Sequence, residues 1–254
     1  MKKTAIAFYF AGLLLVSFTL KASIKPGWTG NWYVGGSLGY ADLNGDLNTT
    51  MNYTGNAIPG QFLQTLNVIN YTDTGFVVGA LVGYQEIWHQ WLVGGELNFD
   101  LQSIDRNHTF AFSDIDNLIG WTGNARYQRK NMIGLSGRVG YAVSPYFMPF
   151  ARLGVGFSDD KLITSFAGNP GVYPNEVVMT EQHWIHCFLL GAGAEIPIPH
   201  TCGATVRLEY NFYSRARTVQ GFGLLLDGVI SPTFQSGIQP EMQMIRMSLV
   251  WNFF

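Results

Sequence analysis

Three observations predict an all-β fold, an eight-stranded antiparallel up-and-down transmembrane β-barrel. Charged residues make up only 13% of the 254, well short of the roughly 25% usual in soluble chains, while Gly reaches 30 copies and aromatics 15%. Beyond residue 23 no segment offers the roughly 18 consecutive apolar residues that a spanning helix needs. A membrane-embedded chain of this kind must therefore be a closed barrel, the other way to satisfy every backbone group in lipid. The third observation is period-2 alternation in residues 76–101. One arm puts Phe76, Val78, Ala80, Val82 and Tyr84 on one face against Gly79, Gly83 and Gln85, with Val77 and Leu81 as exceptions. The other arm puts Trp91, Val93, Leu97, Phe99 and Leu101 opposite Gly94, Glu96, Asn98 and Asp100, broken only by Leu92. A small, polar face carrying acids and an apolar face ending in aromatics fit a strand with lipid outside and a polar lumen inside.

Residues 1–23 read as a secretory signal, with Lys2 and Lys3 before an apolar run from Thr4 to Leu20 and cleavage after Ala22 or Ser23. The barrel is then 24–254. Without Lys2, Lys3 and Lys21, the 15 basic residues fall to 12 against 17 acidic, a balance near −5 that argues against nucleic acid as a partner. Cys187 and Cys202 are expected as free thiols, because a turn near Pro199 and His200 pairs Cys187 with a residue near Tyr213, far from Cys202.

Strand one comes from Trp28-Thr-Gly-Asn-Trp-Tyr-Val-Gly-Gly-Ser-Leu-Gly-Tyr40, with Trp32, Val34, Leu38 and Tyr40 outward. Residues 42–73 lose this alternation and fill with Asn, Thr and Gly, which predicts a long polar loop. Strand two is 74–87, a tight turn 88–90, and strand three 91–101. A second loop covers 102–128. Strand four, 130–143, points Ile133, Leu135, Val139 and Tyr141 outward and Ser136 and Arg138 inward. Ser144-Pro145 makes a short turn. Strand five, 146–158, points Phe147, Leu153, Val155 and Phe157 outward and Phe150 and Arg152 inward; a third loop fills 159–180. Strand six, 182–196, has Trp184, Phe188, Leu190 and Ile196 outward and Glu195 inward, before a short connection at 197–203. Strand seven sets Ala204, Val206, Leu208, Tyr210 and Phe212 against Thr205, Arg207, Glu209 and Asn211. A fourth loop, 214–240, precedes strand eight, where Ile245, Met247, Leu249, Trp251 and Phe253 face out and Arg246, Ser248, Val250 and Asn252 face in. Long connections follow odd strands and short ones follow even strands, so both termini fall on the short-turn side.

Trp28 to Tyr40, together with Gly83-Tyr-Gln-Glu and Val93-Gly-Gly-Glu-Leu-Asn-Phe-Asp100, resembles the opening and first periplasmic hairpin of the small bacterial outer-membrane β-barrel family. That family includes opacity-type surface proteins and is related to the OmpA membrane domain. The resemblance implies a bacterial outer-membrane location amid lipid and lipopolysaccharide. It also implies a C-terminal aromatic read by the barrel-assembly machinery. Here that aromatic is Phe254, one residue out of step with the outward Trp251 and Phe253.

Catalysis would need a nucleophile, a base and an orienting acid within reach. His89 and His200 fall in turns, His108 has no neighbouring motif, and His183 and His186 face opposite sides of a strand. Asp114 and Asp116 lack a matching Asp-x-His, and the four Asn-x-Thr triplets at Asn48, Asn52, Asn70 and Asn107 are ordinary polar loop composition. The apolar run from Phe222 to Ile230 is unusual for a loop and suits strand extension, loop packing or a contact site for a host surface or lipid. The expected function is a structural or surface-interaction barrel, without cofactor or metal, engaging host-surface molecules through four loops. A small pore and, after it, a lipid A-modifying enzyme are the alternatives. Inside, Glu96, Arg138, Arg152, Glu195, Arg207, Glu209 and Arg246 are expected to form a lumen ion-pair network, with Glu96 and Arg138 as a direct pair.

Overall fold

All strand pairings are antiparallel among the described residues, and the sheet closes on itself. The computed structural model describes residues 31–54, 62–113, 120–168, 176–201, 203–216, 218–224 and 231–253. The strands are β1 (Trp32–Thr54), β2 (Phe62–Trp88), β3 (Trp91–Ser113), β4 (Gly120–Tyr141), β5 (Met148–Gly168), β6 (Glu176–Pro197), β7 (Ala204–Tyr213), β8 (Val219–Leu224) and β9 (Ser231–Phe253). β7 and β8 both pair with β9, one above the other, so nine segments make an eight-strand ring. The ring closes where β1 meets β9, in unbroken register from Trp32↔Phe253 to Thr54↔Ser231. The signal segment 1–23, Asp114, Asp116, Cys202, residues 225–230 and Phe254 lie outside the described residues.

Paired residues followed from Trp32 through Tyr84, Gly95, Gly137, Leu153, Leu190, Phe212 and Gln243 return to β1 at Asp42, ten residues further up. Eight strands with this stagger tilt by roughly 35–45° and enclose an interior that side chains can fill. The tight connections gather at one end, here the lower one. His89, at the two-residue turn between Trp88 and Trp91, and His200 adopt φ of 59° and 63°. Gly203 takes 87°, a region suited to glycine. Ala204, expected outward, is buried where that turn closes.

The lipid-facing pattern of the lower half follows the sequence reading. Trp32, Tyr84, Trp91, Trp251 and Phe253 are exposed in a lower aromatic girdle; Tyr40, Phe76, Phe157 and Phe188 form an upper one, brought to one height by the stagger. Edge-on ring contacts brace both, with centroids 5.3 Å apart for Trp32 and Tyr84 and 5.7 Å for Tyr40 and Phe76.

Above the upper girdle the four expected long loops, 42–73, 102–128, 159–180 and 214–240, are largely strand. The alternation there changes sign. In β1 Asp42, Asn44, Asp46 and Asn48 continue the outward face of Trp32 and Tyr40, while Leu43, Leu47 and Met51 continue the inward face of Tyr33 and are fully or nearly fully buried. The upper section is thus a water-facing barrel with an apolar interior built from Leu43, Leu47, Tyr71, Tyr127, Leu162, Ile238 and their neighbours, and Phe166 stacks on Phe234 at 4.5 Å. In β4 the switch also needs a slip in phase. The register against β5 jumps from Arg129↔Asp160 to Asn131↔Asp159, so Lys130 is an extra residue. The bulge turns Arg129 and Tyr127 inward above it, where Met132 and Gly134 point inward below.

One seam is incomplete. The β6–β7 ladder ends at Leu189↔Tyr213, capped by Ser214 N donating to Phe188 O at 2.9 Å. β8 pairs with β9 alone, so among the described residues no ladder joins it to β6. Pro240 of β9 explains the interruption: its carbonyl accepts from Ala216 N at 2.9 Å, and the amide that should donate back on the same side is absent.

Candidate functional site: the buried charge layer

The lower lumen is shaped by alternation of very small and very long inward residues. A Cβ on Gly83 would fall 2.2 Å from the Tyr33 ring, and one on Gly79 would fall 2.1 Å from an Asp100 carboxylate oxygen. Only glycine there leaves room for the side chains that fill the barrel.

All seven expected residues lie within this space, each at most 3% exposed. Arg207 is central: Nε lies 3.2 Å from Glu195 Oε2, and Nη1 contacts Glu96 Oε2 and, at 3.5 Å, Glu209 Oε1. Arg152 reaches Glu209 Oε2 at 2.7 Å and Glu96 Oε1 at 3.0 Å, the latter an ionic contact rather than an aligned hydrogen bond. Arg246 lies 2.9 Å from Glu209 Oε2. Neutral groups complete the shell, with Tyr33 donating to Glu96 at 3.1 Å and Thr205 to Glu195 at 2.7 Å. The Arg138 and Arg207 guanidinium groups each lie 5.2–5.5 Å from the Tyr33 and Phe150 ring centres, so aromatic faces share in holding them.

The expected Glu96–Arg138 pair is absent. The register sets Glu96 against Ser136 and Arg138 against Gly94, a two-residue offset. Arg138 instead spans the lumen to Glu195 at 2.9 Å and donates to Gln85 Oε1 at 2.8 Å. Across a narrow barrel, the opposite wall is within reach of an arginine, so adjacency along the ladder does not choose the partner.

Sequence reasoning left out three charges. Asp100, on the face of Glu96 and Asn98, lies 3.3 Å from Arg246 Nη1 and balances the layer at four acids to four bases. Arg129 and Asp160 form a second, isolated pair above it, through Nε–Oδ1 at 2.8 Å and Nη2–Oδ2 at 2.7 Å, with the Tyr127 hydroxyl also donating to Asp160. Their signal was parity: Asp160 continues the inward row of Arg152 and Ser158, whereas Arg129 is displaced from its row by the bulge.

Among the described residues no group of three His, Cys, Asp or Glu could hold a metal ion, and His183 lies 3.3 Å from Glu181, its nearest acid. Cys187 is a buried free thiol.

A family model described as the outer membrane protein beta-barrel domain matches residues 10–253. The chain belongs to this family. It is an outer-membrane protein of the Gram-negative type, and its strands cross that membrane. Among solved structures it is similar to Ail, the attachment invasion locus protein of Yersinia pestis, at 15% identity, covering 84% of this chain and 99% of that one, with a TM-score of 0.31. OprG from Pseudomonas aeruginosa shows 13% identity over 91% of this chain and 100% of the other, with a TM-score of 0.45. The outer membrane protease OmpT from Escherichia coli shows 11% identity over 91% and 99%, with a TM-score of 0.46. No curated protein sequence matches the chain.

Proposed function

We propose that this protein is a surface-interaction barrel: a closed transmembrane foundation that carries an outer section and its four connections away from the lipopolysaccharide surface toward host-surface molecules. The observation that supports this reading is the inverted upper section, a folded, water-facing extension of the same strands with its own apolar interior. A barrel serving only as a membrane anchor has no need of it. The lower lumen supports the closed foundation. Its four arginines and four carboxylates neutralise one another across the bore, and charges held this way resist both solvent flow and ion passage. The barrel-assembly machinery would read the C-terminal strand.

The test has two arms. Pure refolded protein in planar bilayers should give no steady unit conductance; a reproducible open level would overturn the closed foundation. Cells displaying the whole barrel should adhere to host cells better than cells displaying a barrel with residues 55–61 and 225–230 replaced by short turns. Equal adhesion at equal surface levels would remove the recognition role.

A further inference from the structure

The gap between β6 and β8 opens at a telling height. Phe188 of the upper girdle lies at its foot with Leu190 below, both exposed toward lipid. A cavity of about 480 Å³ occupies the gap, lined by His186, Cys187, Phe188, Arg215 and Ala216. Behind it, buried Leu189, Tyr213, Met242 and Met244 belong to the apolar interior of the upper section. Cys187 and the Tyr213 ring stand side by side, since a Cβ on Gly156 would lie 3.1 Å from the Cys187 sulfur and 3.3 Å from Tyr213 Cε1. The Tyr213 hydroxyl is fully buried and has no hydrogen-bond partner among the described residues.

We infer that this gap is a lateral portal and binding site for a small, uncharged, largely apolar molecule bearing one hydrogen-bonding group, entering from the outer leaflet. Each part of that description has a cause. Entry is at the lipid interface because exposed Phe188 and Leu190 stand at the foot of the gap, and the missing ladder leaves no backbone bonds to break between β6 and β8 among the described residues. The molecule is uncharged because Arg215, the cation that lines the cavity among the described residues, already lies 3.1 Å from Asp46 and 3.5 Å from Glu241, leaving little net field. It is apolar because Phe188, Ala216 and the methionines behind them offer adaptable hydrophobic surface. The hydrogen-bonding group would serve Tyr213, whose buried hydroxyl has no partner among the described residues. The charge layer immediately beneath stops the molecule from descending. The site does not depend on the surface role proposed above.

Cys187 reports on the portal directly. With Cys202→Ser as background and the protein refolded into lipid vesicles, N-cyclohexylmaleimide, which dissolves in the bilayer, should alkylate Cys187, while a trimethylammonium thiosulfonate should leave it unmodified. 1-Naphthol should protect the thiol, and Ala216→Phe, which fills the cavity, should abolish the alkylation while retaining the heat-modifiable folded form. Cys187 inert to both reagents, equal reaction with both, or alkylation unaffected by 1-naphthol would each overturn the inference. Should Ala216→Phe not fold, reagent selectivity and naphthol protection decide the matter on the native side chain.

Discussion

The two halves of the barrel use the same strands, and on most of them the same residue parity, yet they are inside out with respect to each other. Below Tyr40 the outer face is apolar and the interior holds eight balanced charges; above it the outer face carries Asp42, Asn44 and Asp46 and the interior holds Leu43, Leu47 and Met51. The solvent outside decides. Lipid rewards apolar outer residues and leaves polar ones the lumen, whereas water allows polar outer residues and drives apolar ones together within. Neither half could exchange patterns with the other without placing a charge in lipid or an unpacked apolar face in water.

The comparison is most easily broken through its ion pairs. Arg129–Asp160 is an isolated pair in an apolar interior, so Asp160→Asn should destabilise by about 3–5 kcal/mol, while Arg129→Met with Asp160→Leu and Tyr127→Phe should restore stability or exceed it by about 1–4 kcal/mol. In the lower layer Glu209→Gln with Arg246→Met should not recover in this way, because Arg152 loses a partner with Glu209 and Asp100 loses Arg246. Urea unfolding in detergent reads both. Equal recovery in the two halves would mean that the lower charges act as independent pairs.

Next in size is the outer face. Leu208→Arg should cost about 2–4 kcal/mol near the midplane, whereas Asn44→Arg, above the inversion, should stay within about 0.5 kcal/mol. Comparable loss of folded protein from both would place Asn44 in lipid. A smaller effect should appear in amide exchange: inward positions from Leu43 to Met51 should be protected despite their loop-like composition, and the outer stretch of β6 from Glu176 to Ile185 should exchange faster than its partner β5. Uniform protection across β6 would mean that the seam is closed in solution. The smallest effect is expected at Asp105–Arg126, the exposed counterpart of Arg129–Asp160. Hydrogen bonding from Arg126 holds the Asp105 carboxyl below its usual range. Its contribution should be present at neutral pH, fade as pH falls through that lowered value, and be screened by salt. A coupling that survives high salt would show the site to be drier than its exposure implies.

The lower half was legible in the sequence because lipid on one side and packed charges on the other give a strong period-2 contrast. Trp32 to Tyr40 and Ala204 to Phe212 sufficed for face and register apart from the turn at Ala204. The upper half was not, because its alternation is inverted relative to the half below. Residues 42–54 alternate as regularly as residues 32–40, but with the opposite sign, and Asn and Gly at outward positions read as turn chemistry when the apolar partners are sparse. The seven lumen residues follow from parity, and so does the charge type of the layer. Their pairing does not, since Arg138 chooses Glu195 across the bore through a closure that sequence separation does not reveal. The Lys130 bulge was equally hidden, because one extra residue has no compositional signature.

The closing seam between β1 and β9 has a consequence for how the barrel comes into being. Its contacts join the two ends of the chain, from Trp32↔Phe253 upward, the largest sequence separations in the molecule. High contact order slows folding, and a sheet lacking either strand would present two bare edges, each amide and carbonyl there costing several kcal/mol in hydrocarbon. A partial sheet therefore cannot rest in the bilayer with its edges unpaired. Insertion has to wait until synthesis is finished and the last strand can be delivered to the first, and a chain truncated within β9 should yield no smaller barrel, only material for periplasmic proteolysis.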